Sequence, residues 1–122
     1  MSEGVAPRLT FPRSHRLGGQ KEFRAVFDGG VRAGRGPLTI YARANGLGHP
    51  RLGLTVPRRV GKANERVAIK RRLREAYRHL RHELPGWDFV LVVRPHAAMK
   101  PAAYGELVKS ALPKLRSRLG AA

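Results

Sequence analysis

Residues 64–84 read NERVAIKRRLREAYRHLRHEL, followed by Pro85-Gly86 and then by WDFVLVVR over residues 87–94. At about 100° per residue, Ile69, Leu73, Ala76, Tyr77, Leu80 and Leu84 share one stripe of a helix. The segment is therefore predicted to be a helix that lays this stripe on a sheet. Asn64 is the expected N-cap, Glu65 suits the positive helix end, and Pro85-Gly86 stops the helix. The dense apolar run from Trp87 to Arg94 reads as a buried strand.

Working outward, Leu38 to Ala44 alternates: Leu38, Ile40 and Ala42 point one way, and Thr39, Tyr41 and Arg43 the other. Asn45-Gly46 to Pro50 is a loop. Arg51 to Val56 alternates again, with Leu52, Leu54 and Val56 on one face, so the two segments are expected to pair as a hairpin. A weak strand is expected near Val31 to Arg35. Before it, Gln20 to Asp28 reads as a short helix with Phe23, Val26 and Phe27 at helical spacing, ended by Gly29-Gly30. Downstream, Pro101 opens a last helix whose Tyr104, Leu107, Val108, Ala111, Leu112, Leu115 and Leu119 recur at helical spacing. Pro113 is expected to kink or split it. The order is αβββαβα. It predicts an α/β (α+β) two-layer sandwich with a mixed sheet of about four strands, covered by helices on one side and partly open on the other. Residues 1–12 are expected to form a flexible arm, 13–119 a single domain and 120–122 a tail.

Charge narrows the function. Twenty-five Lys and Arg face eight acids, a formal net charge of +17. Such a surplus repels itself unless a polyanion neutralises it, and nucleic acid is the usual one. A membrane fits poorly: the longest apolar run, Phe89 to Val93, is far short of the ~20 residues a spanning helix needs. Met1 to Pro12 lacks the apolar core of a signal peptide. The absence of cysteine excludes disulfides and cysteine zinc sites and fits a reducing cytoplasm.

The charge is concentrated: Arg58 to Arg81 holds ten basic residues and two acids. On the helix, Lys70, Arg71, Arg74, Arg78 and Arg81 fall on one flank, with Arg66 at the edge of the apolar stripe. Arg58, Arg59 and Lys62 precede it. A merely solvated face mixes signs, because like charges at i, i+4 cost stability. Arg66, Lys70, Arg74 and Arg78 form an unbroken series at that spacing, which points to a polyanionic partner. Phe23, Phe27 and Tyr41 are either plain core or, with Arg43 beside Tyr41, a surface that stacks unpaired bases. A stand-alone nuclease would need clustered carboxylates or a histidine pair. The eight acids are scattered, and His15, His49, His79, His82 and His96 show no ligand spacing. A ribosomal or RNA-chaperone protein without catalytic activity is the competing reading, which composition alone leaves open.

The ordered motifs add specificity. Phe11-Pro12-Arg13, Arg16-Leu17, Phe23…Val26-Phe27, residues 47–56 (LGHPRLGLTV), Glu65-Arg66…Ile69-Lys70-Arg71…Arg74-Glu75, His82-Glu83-Leu84-Pro85 and Asp88-Phe89-Val90 occur in sequence. Over roughly residues 11–118 they resemble the bacterial ribonuclease P protein. The resemblance implies a left-handed βαβ crossover through the basic helix, an exception to the usual hand. It also implies a subunit that assists a catalytic RNA, with Mg²⁺ at its centre, in removing the 5′ leader of precursor tRNA. By position, Arg66, Lys70, Arg71 and Arg74 would contact the catalytic RNA, with Arg58, Arg59, Lys62 and Arg78 extending that surface. Phe23, Phe27 and Tyr41, with Arg43, would line the cleft for the leader. One departure stands out. Where the family pattern reads Arg-Asn-Arg-x-Lys-Arg, this chain has Arg66-Val67-Ala68-Ile69-Lys70-Arg71, which implies two polar contacts fewer or an adapted RNA partner.

Overall fold

A computed structural model of the chain describes residues 12–121; the expected arm, Pro12 apart, lies outside the described residues. The elements are α1 (Gln20–Gly29), β1 (Val31–Arg35), β2 (Leu38–Ala44), β3 (Arg51–Thr55), α2 (Ala63–Leu80), β4 (Trp87–Val93) and α3 (Pro101–Ala121). Short 3₁₀ turns lie at Arg13–His15, Arg58–Val60 and Arg81–Glu83. This is the αβββαβα order and the mixed sheet that the sequence patterns predict.

The sheet order is β1-β2-β4-β3, so the expected hairpin between β2 and β3 does not form. β4 lies between them, antiparallel to β2 and parallel to β3. The reason is burial. β4 carries Trp87, Phe89, Leu91 and Val93 toward one face and Asp88 and Val90 toward the other, all of them buried. Only a central position covers both faces. The hairpin instead joins β1 to β2 through Gly36-Pro37, where Gly36 has φ 54°. A positive φ followed by the negative φ of proline is the sign pattern of a type II′ turn, which suits the strand twist.

α2 and α3 cover one sheet face. Ile69, Leu73, Ala76, Tyr77 and Leu80 of α2 and Tyr104, Val108, Ala111 and Leu115 of α3 are buried there against Leu38, Ile40, Leu52, Phe89, Leu91 and Val93. The predicted stripes are thus the ones that pack. α2 ends at Leu80, with a 3₁₀ turn carrying the chain to Leu84. Its N-cap is Lys62 rather than Asn64. The cap depends on Glu65, whose Oε1 accepts the Lys62 backbone N–H at 2.7 Å. An N3 glutamate serves this orphan donor whatever side chain precedes it. Pro113 does not split α3, which runs unbroken to Ala121 and takes in Gly120 of the expected tail. Pro113 and Lys109 are both exposed. The Lys109 carbonyl that loses its donor therefore faces water, while Ala111 and Leu115 hold the helix on the sheet.

The other face is covered only in part. α1 packs Val26 and Phe23 over Val90, Leu17 and Tyr41. The close approach of α1 to β2 needs glycine at position 30: a Cβ there would lie 2.4 Å from the Ala42 carbonyl oxygen and 2.6 Å from that of Val26.

Candidate nucleic-acid interface

Helical periodicity places the cations of α2 on the flank that looks toward the β3 edge and the open sheet face. Arg71 and Arg74 are exposed, and Arg66 and Lys70 half-buried. Arg58 and Arg59, in the 3₁₀ turn, and Lys62 extend the surface and are exposed. Arg66 Nε donates to the Gly61 carbonyl at 3.2 Å, which fixes its stem. Arg78 differs from the others. It is paired with Glu75, which also accepts from His79 at 3.1 Å, so the basic series is locally neutralised at its C-terminal end. The His79 and Arg78 hydrogen bonds hold the Glu75 carboxyl below its ordinary range. Arg72 points the other way and donates to the Met99 carbonyl at 3.3 Å. Val67 is 50% exposed within the cationic flank.

The aromatic residues gather on the open face. Phe27 meets Tyr41 edge to face, with ring centroids 4.8 Å apart at 88°. Phe27 remains 38% exposed. Phe23 lies on Gly53 of β3: a Cβ there would come within 2.5 Å of Phe23 Cζ. Arg43 reaches back to Gly29, where a Cβ would sit 3.4 Å from its Nε. That places a cation at the negative end of α1.

The two predicted sets of residues meet. A groove of about 190 Å³ is lined by Arg16, Leu17, Phe23, Leu52, Gly53, Leu54, Lys70 and Arg74. Arg16 was not among the predicted site residues. The bridge between residue 16 and Leu52 of β3 places it beside the groove. Gly53→Ala is expected to push the Phe23 ring off the sheet and weaken single-strand binding by roughly 5- to 150-fold, the worth of one stacked base, about 1–3 kcal/mol. Fluorescence titration with a short single-stranded RNA checks this; unchanged affinity would mean that Phe23 is core and no more.

Beneath the interface a partly buried network centred on Asp88 ties β3 and β4 to α1. Asp88 accepts from Arg51 Nε and Nη2, each at 2.8 Å, and from Asn45 Nδ2 at 2.9 Å. Arg51 Nη1 also donates to Glu22 of α1 at 3.0 Å. Burial alone would raise the Asp88 carboxyl; the hydrogen bonds from Arg51 and Asn45 outweigh it and hold the group below its ordinary range. On the far side, His15 is buried and stacks on His49, with centroids 4.3 Å apart. Arg81 approaches His15 Nε2 at 3.4 Å, so the network assigns the ring proton to Nδ1, 3.0 Å from the Tyr77 hydroxyl. Tyr77 in turn donates to the Pro50 carbonyl at 3.0 Å.

Burial first, then the charges of His49, Arg81 and His82, push His15 down to about 4. The unfolded imidazole titrates near ~6.5, so between the two values the unfolded state binds a proton that the folded state does not. Stability is expected to be full above pH ~6.5 and to fall toward pH 4 by up to about 1.4 kcal/mol per pH unit. Urea midpoints across this range check it; a His15→Gln variant with the same slope would place the proton elsewhere.

The sequence profile of the family described as Ribonuclease P matches residues 11–119. A curated relative from Escherichia coli, named ribonuclease P protein component, is 48% identical over 92 residues, covering 75% of this chain and 77% of its own length. The chain belongs to the ribonuclease P protein family. A relative of the same name from Salmonella arizonae matches to the same extent. The solved ribonuclease P protein of Thermotoga maritima superimposes with a TM-score of 0.72 at 28% identity, over 81% of this chain and 96% of that one. That of Staphylococcus aureus, at 23% identity, shares the fold with a TM-score of 0.72 over 81% and 93%. The chain is a protein component of this ribonucleoprotein endoribonuclease and aids its catalytic RNA; the ribosomal or chaperone reading is not favoured. No helix among the described residues is long and apolar enough to cross a membrane.

Proposed function

We propose that the cationic flank of α2 grips the catalytic RNA while the aromatic face beneath α1 holds the single-stranded 5′ leader of precursor tRNA, so that one small domain brings substrate and catalyst together. The observation that carries this is the groove in which Phe23 and Gly53 share walls with Lys70 and Arg74. Arg58, Arg59, Lys62, Arg66 and Arg71 extend the RNA-subunit surface, with Arg78 at its partly neutralised end. Phe27, Tyr41 and Arg43 complete the leader surface.

The chain supplies position and charge. Among the described residues no group of three or more histidines or carboxylates gathers to hold a metal ion. Two of the acids close to the interface, Asp88 and Glu22, are already engaged by Arg51. In this reading the Mg²⁺ that supports phosphodiester hydrolysis is held mainly by the RNA and the substrate. Cations on the protein lower the repulsion between two RNAs and reduce the metal concentration needed to bring them together. The cytoplasm, where both RNAs reside, is the proposed location.

The test is precursor-tRNA cleavage by the cognate catalytic RNA at low Mg²⁺, with and without the chain. Strong stimulation is expected. RNA binding without stimulation would remove the leader-holding role and leave only a basic RNA-binding fold.

A further inference from the structure

The open sheet face carries one continuous row across all four strands: Arg32 of β1 pairs with Tyr41 of β2, Tyr41 with Val90 of β4, and Val90 with Gly53 of β3. Directly paired residues point to the same side. At the β3 end the row meets Arg16, Lys70 and Arg74 through Phe23. At the β1 end, about 14 Å away at about 4.8 Å per strand spacing, stands a second set of cations that the proposed sites do not include.

Arg32 is exposed and faces the aromatic side. Arg118 of α3 reaches round the sheet edge and donates to the Arg32 carbonyl. Arg35 is tied to α3 by hydrogen bonds to the Ser110 hydroxyl at 3.2 Å and carbonyl at 3.3 Å. Carbonyls orient a guanidinium without cancelling its charge, and among the described residues no carboxylate pairs with Arg32, Arg35 or Arg118. The sequence has no acid between Asp28 and Glu65 and none after Glu106. A bland role exists, because charged residues on an edge strand block unwanted pairing. Edge protection does not, however, require that the charge stand in line with the aromatic row.

We propose that Arg32 and Arg118 form a distal phosphate clamp for the single-stranded leader, gripping nucleotides that have crossed the aromatic face and leave it over β1. This rests on the leader reading above and adds an end point to it: the strand enters beside α2, crosses Phe23, Tyr41 and Phe27, and exits between two arginines. Arg35, on the back of the edge, adds field without contact.

The experiment uses the holoenzyme of the full chain and its cognate catalytic RNA, with precursor tRNAs whose leaders lengthen one nucleotide at a time. The wild-type affinity is expected to rise until the leader passes the β1 edge. An Arg32→Gln/Arg118→Gln variant should match wild type on short leaders and bind long ones roughly tenfold more weakly. Its salt slope on long leaders should drop by about 1.4, the release from two single-strand phosphate contacts at about 0.7 each. Arg118 also serves the edge backbone, so Arg32→Gln alone, whose side chain makes no bond among the described residues, provides a second variant with about half that change in slope. If both variants track the wild type at every length, the cations only protect the edge and the clamp is overturned. An equal loss at all lengths also overturns it. A wild type indifferent to leader length would instead remove the leader reading itself.

Discussion

Replacing Arg66, Lys70 and Arg74 together with Gln is expected to weaken binding of the catalytic RNA about a thousandfold while leaving the fold as stable as before or slightly more so. Hydrogen bonds to charged groups are worth about 1.5–3 kcal/mol each. Three neighbouring ones are not additive, and a total near 4 kcal/mol is a reasonable sum. The same change should lower the salt slope by up to about 2.7, at about 0.9 per phosphate on a duplex. Stability moves the other way because the three sit at successive i, i+4 positions, where like charges repel. None of the three belongs to the apolar core. Opposite signs for binding and stability separate an interface from a solvated face. Filter binding at several salt concentrations, with urea melts of the free chain, provides the readout. Unchanged affinity would show that the RNA docks elsewhere.

The helices were legible in the sequence because their apolar residues recur at helical spacing and have one surface to cover. Ile69, Leu73, Ala76, Tyr77 and Leu80 could only be a stripe on a sheet. Strand order was not legible from alternation. β2 and β3 both show one apolar face, and that pattern is the same whether they neighbour each other or flank a third strand. The clue lay in β4, apolar on both faces and so obliged to be central. The N-cap was misplaced for a related reason: Asn64 has the favoured side chain, but Glu65 sets the boundary by reaching back to Lys62.

The site was legible as parts. Charge spacing identifies the basic flank of α2, and alternation puts Tyr41 on the face away from the core. Their union in one groove was not, since Phe23 and Lys70 stand 47 positions apart and nothing in periodicity says what a helix leans over. Arg16 was missed because it contributes a single isolated bridge rather than a pattern. Arg78 was placed at the end of the RNA-binding series, and Glu75, three residues earlier and at pairing distance on any helix, neutralises it there.

The largest effect on stability is expected at Asp88, which touches neither surface. Asp88→Ala should cost about 1.5–3 kcal/mol, the range for hydrogen bonds to a charged group at a partly buried pair, and lower Tm by roughly 6–12 °C. Arg51 is the reason. Its guanidinium lies between Asp88 and Glu22, and its side chain is 23% exposed, against 7% for Asp88. Without Asp88 it keeps only the more exposed Glu22, while Asn45, at the start of the loop before β3, loses one of its side-chain partners. Asp88→Asn, which keeps an acceptor, should cost less. Because the folded carboxyl is held low, its contribution is present above the unfolded value near ~3.9 and is lost as pH falls through the lower folded value. The Asp88 variants should therefore converge with wild type in strong acid. The damage should also reach function. Glu22 sits in the turn of α1 that precedes Phe23, so releasing Arg51 frees the helix that holds the aromatic face and weakens leader binding more than binding of the catalytic RNA through α2. A urea melt of Asp88→Ala within 1 kcal/mol of wild type would show that the network is dispensable and that packing of Val26 on Val90 suffices to seat α1.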